Sequence, residues 1–177
     1  VQLAENIDLG ADGSVTTGNT VTNSDGVAIT DGTVGGASTT ITTSGTNVVD
    51  AAGNEADYTA ASSSLTDAAG NTTDMTAAGT DVTDVAGNNS NYGAEGLSAT
   101  DTAGNTATYN AAGSSLVDTA GNTNNSTALG NTITSGANVT TITGAGTTVT
   151  DGTNTSNYGA EGLTFLDTNG DPLANTP

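Results

Sequence analysis

Carboxylates are the only side chains here with ready acid–base or metal-ligating chemistry. The 177-residue chain has 19 Asp and Glu residues and no His, Cys, Lys or Arg. Five of the Asp residues open one recurring phrase: Asp50-Ala51-Ala52-Gly53-Asn54, Asp67-Ala68-Ala69-Gly70-Asn71, Asp84-Val85-Ala86-Gly87-Asn88, Asp101-Thr102-Ala103-Gly104-Asn105 and Asp118-Thr119-Ala120-Gly121-Asn122. Successive Asp residues lie 17 positions apart. Such a column could bind calcium, pair its carboxylates to hydrolyse a glycoside, or cap turns. The calcium-binding β-roll repeat is roughly nine residues with a Gly-Gly-x-Gly-x-Asp core, which is absent here. Without His, Cys or Lys there is no ordinary base or activated nucleophile beyond the carboxylates. The column therefore reads as turn chemistry, with no catalytic residue, cofactor or metal expected.

The elements that carry these turns are strands. Asp suits the first position of a type I turn, because its carboxylate accepts a hydrogen bond from a nearby turn N–H. Gly suits the left-handed position that closes a three-residue hairpin loop with a bulge. A second turn follows at Ser62, Gly79, Gly96 and Gly113, each preceded two positions earlier by Ala. About five residues separate the two turns, which is strand length rather than helix length. Two bulky apolar columns run through the repeat: Tyr58, Met75, Tyr92, Tyr109, and Val48, Leu65, Val82, Ala99, Leu116. They read as core, in strands otherwise built from Thr, Ser, Ala and Asn. Glu95 and Glu161 stand at turn positions where other repeats have Ala, and mark exposed corners and possible binding loops.

Spacing chooses between β architectures. In a solenoid with one coil per repeat, the Asp residues would stack at about 4.8 Å and repel strongly without cations between them. In a meander two strands intervene, so they lie roughly 10 Å apart, near the Debye length at physiological salt. The expected fold is all-β, a repetitive 17-residue meander.

Net charge is −19, which makes nucleic acid and anionic membrane poor partners. Apolar residues make up 33% of the chain, too few large ones for a self-sufficient domain of this length. The strict register argues against disorder, so neighbouring repeats and sister chains are expected to complete the core. No stretch is long and apolar enough to span a membrane. The chain opens at Val1 with no Met and no signal-peptide pattern, and reads as an internal fragment. The absence of Cys fits a protein exported unfolded and used outside the cell.

Four segments follow. Residues 1–47 are a looser prelude, with Asp12, Asp31 and Asp50 spaced by 19. Residues 48–122 are the regular array. Residues 123–150 are an irregular Thr/Asn/Gly-rich stretch with Ile133, Val139 and Ile142 as apolar points. Residues 151–177 are a terminal repeat and exit, in which Asn157 to Leu163 repeats Asn91 to Leu97 unchanged.

The Asp-x-x-Gly-Asn phrase, the string Asp151 to Thr164 and the ending Leu163 to Pro177 resemble the passenger region of trimeric autotransporter adhesins of Gram-negative bacteria. The resemblance covers nearly all of the chain. It implies a parallel homotrimer building β-prism or β-roll segments of a fibre. It also implies display on the outer membrane, through an anchor not in this chain, and adhesion to host surfaces, abiotic surfaces or sister cells. Three copies around an axis would cover the column Tyr58, Met75, Tyr92, Tyr109 or the column Leu65, Val82, Leu116. A trimeric phage tail fibre shares this physics. A calcium-stabilised solenoid lacks its motif. An ice-binding array needs Thr in strict short-period columns, whereas Thr66, Thr83 and Thr100 give way to Val49 and Val117. Tandem immunoglobulin-like domains need roughly 100 residues each and do not fit the period.

Overall fold

The computed structural model describes residues 9–173, which form strands joined by turns, with no helix among them. The described residues divide into two units, one ending at residue 85 and one starting at residue 86. The boundary falls inside the third Asp turn, within the stretch that reads as one array in the sequence.

The first unit is an antiparallel meander of nine strands. They are β1 (Val15–Thr17), β2 (Thr20–Asn23), β3 (Gly26–Thr30), β4 (Ser38–Ile41), β5 (Gly45–Val49), β6 (Glu55–Thr59), β7 (Ser62–Thr66), β8 (Thr72–Thr76) and β9 (Gly79–Thr83). Each pairs with its sequence neighbour. The second unit is a meander of ten: β10 (Asn89–Gly93), β11 (Gly96–Thr100), β12 (Thr106–Asn110), β13 (Gly113–Val117), β14 (Thr123–Thr127), β15 (Gly130–Ser135), β16 (Asn138–Thr143), β17 (Gly146–Thr150), β18 (Thr155–Gly159) and β19 (Gly162–Leu166). It is paired in the same way.

The period persists through the stretch 123–150. Gly130 and Ile133 lie 17 positions after Gly113 and Leu116 and start and fill β15 as those residues do β13. The Asp position of the phrase is Ser135 here. The turn Ser135 to Asn138 is one residue shorter, with Gly136 at φ 59°.

Each unit is a single layer. No residue among those described is buried. The two apolar columns therefore form no core within one chain: Leu65 is 44% exposed and Tyr109 68%. Backbone pairing inside each ladder, with polar side-chain hydrogen bonds between neighbouring turns and strands, holds each unit rather than side-chain burial.

Candidate functional site

The Asp phrase forms a three-residue loop in which Gly53 N–H donates to Asp50 O at 3.1 Å and Asp50 N–H to Asn54 O at 3.0 Å. This is the geometry of a type I turn closed by a glycine bulge. Gly53 has φ 89°, a value that L side chains rarely adopt. The Asp50 carboxylate accepts the N–H groups of Ala52 at 2.8 Å and Asn54 at 2.9 Å. Asn54 Nδ2 donates to Asp50 Oδ2 at 2.6 Å. The Asp67 turn repeats this set, with Asn71 in the place of Asn54. So does the Asp118 turn, with Asn122. At Asp101, Asn105 donates through both its N–H and its Nδ2. Gly70, Gly87, Gly104 and Gly121 take φ between 84° and 95°. Asp84 holds the same column at the boundary of the two units.

The phrase Asn does a second job that the sequence reading missed. Its side-chain oxygen reaches the next turn. Asn54 Oδ1 accepts the N–H of Ala68 at 2.9 Å, and Asn71 Oδ1 that of Val85 at 2.9 Å. In the second unit Asn88 accepts from Thr102 at 3.0 Å and Asn105 from Thr119 at 3.1 Å. An amide has its donor and its acceptor on separate atoms, so Asn can donate to its own Asp and accept from its neighbour at once. A rail of alternating carboxylates and amides thus ties successive turns. The signal was present, since Asn closes all five phrases as strictly as Asp opens them.

These bonds set the electrostatics. The Asn54 side-chain amide, then its N–H, hold the Asp50 carboxyl below the ordinary aspartate range. Asn71, Asn105 and Asn122 do the same for Asp67, Asp101 and Asp118. Hydrogen bonds to the ionised form are the cause. Such carboxylates are held as anions and are poorly suited to deliver a proton. No group of three or more acidic residues is placed to hold a metal among the described residues.

Register sorts the remaining side chains by face, because paired residues share a side of the sheet. In the first unit Val48, Ala56, Leu65, Thr73 and Val82 form one row, and Thr46, Tyr58, Ser63, Met75 and Thr80 another. Both rows lie on one face. The two apolar columns are therefore not alternatives for a covered side: they share it. That face carries no carboxylate on any strand of the unit. The opposite face carries Glu55, Asp57, Asp74 and Asp81, with Asp74 directly across from Asp81. Asn47 Nδ2 bonds to Asp57 Oδ1 at 2.6 Å and also to Glu55 Oε1.

The second unit follows the same rule. Tyr92, Leu97, Tyr109, Leu116, Ile133 and Tyr158 share a face with Ala99 and Ala107. The other face is mainly Thr, Ser and Asn, including Ser115 bonded to Asn125 and Thr148 bonded to Asn157. Glu95 and Glu161 are exposed at two-residue hairpins, as corners. Glu95 borders an open hollow of about 660 Å³ with Tyr92, Leu97 and Tyr109. A groove of about 730 Å³ runs beside the rail, floored by Ala99, Ala107, Leu116 and Ile133 and edged by Asp101 and Asp118. Its counterpart in the first unit, about 440 Å³, has Val48, Ala56 and Leu65 beside Asp50 and Asp67.

No family model matches this chain, and no curated protein matches it. Among solved structures, the fold is similar to the TCP10 domain of Danio rerio CPAP, determined in complex with a peptide of Danio rerio STIL. That likeness has a TM-score of 0.54 at 10% identity and covers 96% of this chain and 97% of that one. Two further structures of the same domain, a mutant and the wild type, align with TM-scores of 0.44 and 0.43 at 14% identity, over 90% and 89% of this chain and 99% and 98% of theirs. At such identities the first likeness is one of fold.

Proposed function

We propose that this chain is a non-catalytic structural and adhesive fibre segment of a bacterial surface adhesin, working as a parallel homotrimer outside the cell. The observation that supports this reading is a single-layer fold with no buried residue among those described, whose Tyr, Leu, Val and Met columns stand open on one side. Apolar side chains in ordered rows are stabilising only when covered. The Asp–Asn rail fits the same reading. It uses its carboxylates to hold turns in a fixed repeat, which serves a spacer, and leaves them without the proton-donating role a hydrolase needs. The segment attaches to host or abiotic surfaces or to sister cells, and its anchor lies in another part of the protein.

Light scattering on the 177-residue chain, with and without chelator, tests the assembly. The expected result is a chelator-insensitive species of about 51 kDa, three times 16.9 kDa. Beads coated with that species should adhere to cells or plastic where beads coated with an unrelated acidic protein do not. A folded monomer, or one that unfolds on chelation, would sink the reading.

A further inference from the structure

We infer that sister copies of this chain meet through the apolar face of each unit, the one to which its strands turn no carboxylate, with apolar side chains of one copy seated in the alanine-floored grooves of another. The inference rests on the multi-chain reading above and names the surface that reading leaves open.

Charge is the first argument. The chain has 19 acidic residues and no cationic side chain, so a copy can offer another copy no compensating Lys or Arg. Any face that presents carboxylates to a copy of itself sets like charges against each other in a low-dielectric contact. In the first unit that excludes the face with Glu55, Asp57, Asp74 and Asp81. The strands of the face with Val48, Tyr58, Leu65, Met75 and Val82 point no carboxylate to that side, and carboxylates reach it only at the rim of its groove, at Asp50, Glu55 and Asp67. In the second unit neither face of the strands is charged, and apolar content decides. Tyr92, Leu97, Tyr109, Leu116 and Ile133 stand on one side, against a hydroxyl and amide array on the other.

Area is the second. Nine strands at about 4.8 Å and five residues at about 3.4 Å give a face on the order of 700 Å² in the first unit. The second unit is slightly larger by the same measure. Standard stable interfaces take about 600 to 1,000 Å² from each partner, so one such face falls in the lower part of that range.

Shape is the third. Ala56 in one unit, and Ala99 and Ala107 in the other, leave grooves of about 440 and 730 Å³ on this same face. Two sheets packed face to face lie roughly 10 Å apart with side chains interdigitated. Close-packed interfaces leave few voids, so the grooves call for large side chains from the facing copy. Tyr92 and Tyr109, 69% and 68% exposed, are of that size and stand on the same face, in the row next to the one that floors the groove.

The test uses the full chain, which has no Cys of its own. Leu116→Cys places a thiol on the proposed contact face and Ser115→Cys places one on the opposite face, one residue away. With a short bis-maleimide, Leu116→Cys, with one thiol per chain, should give covalent dimers and Ser115→Cys should stay at 16.9 kDa. In parallel, Leu116→Glu with Leu65→Glu should lower the light-scattering mass to that of one chain, while Ser115→Glu with Ser64→Glu should leave it unchanged. Cross-linking at position 115 alone, or at neither position in a multimeric wild type, overturns the contact face and leaves the multi-chain reading standing. A wild type that stays monomeric overturns both. So does a monomer that takes up a basic peptide on this face, which would assign it to a foreign partner.

Discussion

Asn54 Oδ1 accepts the backbone N–H of Ala68, fourteen residues further on, at 2.9 Å. The same amide donates to Asp50 at 2.6 Å. One side chain thus joins a turn to its successor, and the join recurs at Asn71, Asn88 and Asn105.

Replacing Asn71 should therefore damage more than its own turn. Asn71→Ala removes the donor to Asp67 and the acceptor for Val85. Net hydrogen-bond contributions of this kind suggest a loss on the order of 1 kcal/mol. Asn71→Asp should cost more, since it sets a carboxylate against Asp67. Urea denaturation of the two variants beside the wild type gives the ranking, and an Asp variant as stable as wild type would refute the rail.

Acid should weaken the rail. Asp50, Asp67, Asp101 and Asp118 have carboxyls lowered by the Asn amides and then by backbone N–H groups. A group lowered on folding contributes stability that is full above its unfolded value and is lost as pH falls through the folded one. Melting temperature should thus be flat near neutrality and fall below the ordinary aspartate range. Asp31 and Asp151 are lowered as well, by backbone N–H groups first, and in Asp67→Asn the acid-dependent drop should be smaller, because one of the six groups no longer titrates. A melting series from pH 7 down to pH 2, followed by circular dichroism, would reveal it.

The hairpin glycines should tolerate substitution unequally. Gly113 has φ 142°, and a Cβ there would sit 2.0 Å from Ser126 O on the next strand. Gly121 has φ 84° but open space around it. Gly121→Ala should lose about 1–3 kcal/mol through backbone strain. Gly113→Ala adds a clash with a paired backbone and should lose more, visible as a lower denaturation midpoint than that of Gly121→Ala.

Asp74 and Asp81 face each other across β8 and β9. Like charges in register destabilise a sheet. Asp74→Asn should raise the melting temperature, with a larger gain at low salt than at high salt because screening already relieves the pair. A salt-independent change would show that repulsion is not the cause.

Much of the fold was legible in the residues. The 17-residue phrase located the turns, and the five-residue gaps between Asp and Gly columns located the strands. The shared face of Tyr58 and Leu65 was not legible, because it depends on register. A hairpin loop of two residues or three changes which side of the sheet each residue takes, and the residue types at Ala60 and Ala61 do not fix that count. The persistence of the period past Asn122 was hidden by Ser135 in the Asp position and by the shorter turn after it. The amide rail was not legible because its bond joins residues 14 apart, and only the pairing of the intervening strands sets those turns side by side. The division at residues 85 and 86 has no counterpart in the phrase, which passes through it intact.

Within each unit, every strand pairs with its neighbour in sequence. Loop closure is then short at every step, and proteins built from local pairings fold quickly because little chain entropy is lost before contacts form. Such a chain can gain order hairpin by hairpin as it emerges from a pore, with no need for its far end. On the fibre-segment reading proposed above, this topology would let the part of the chain already outside the cell start pairing before the rest arrives.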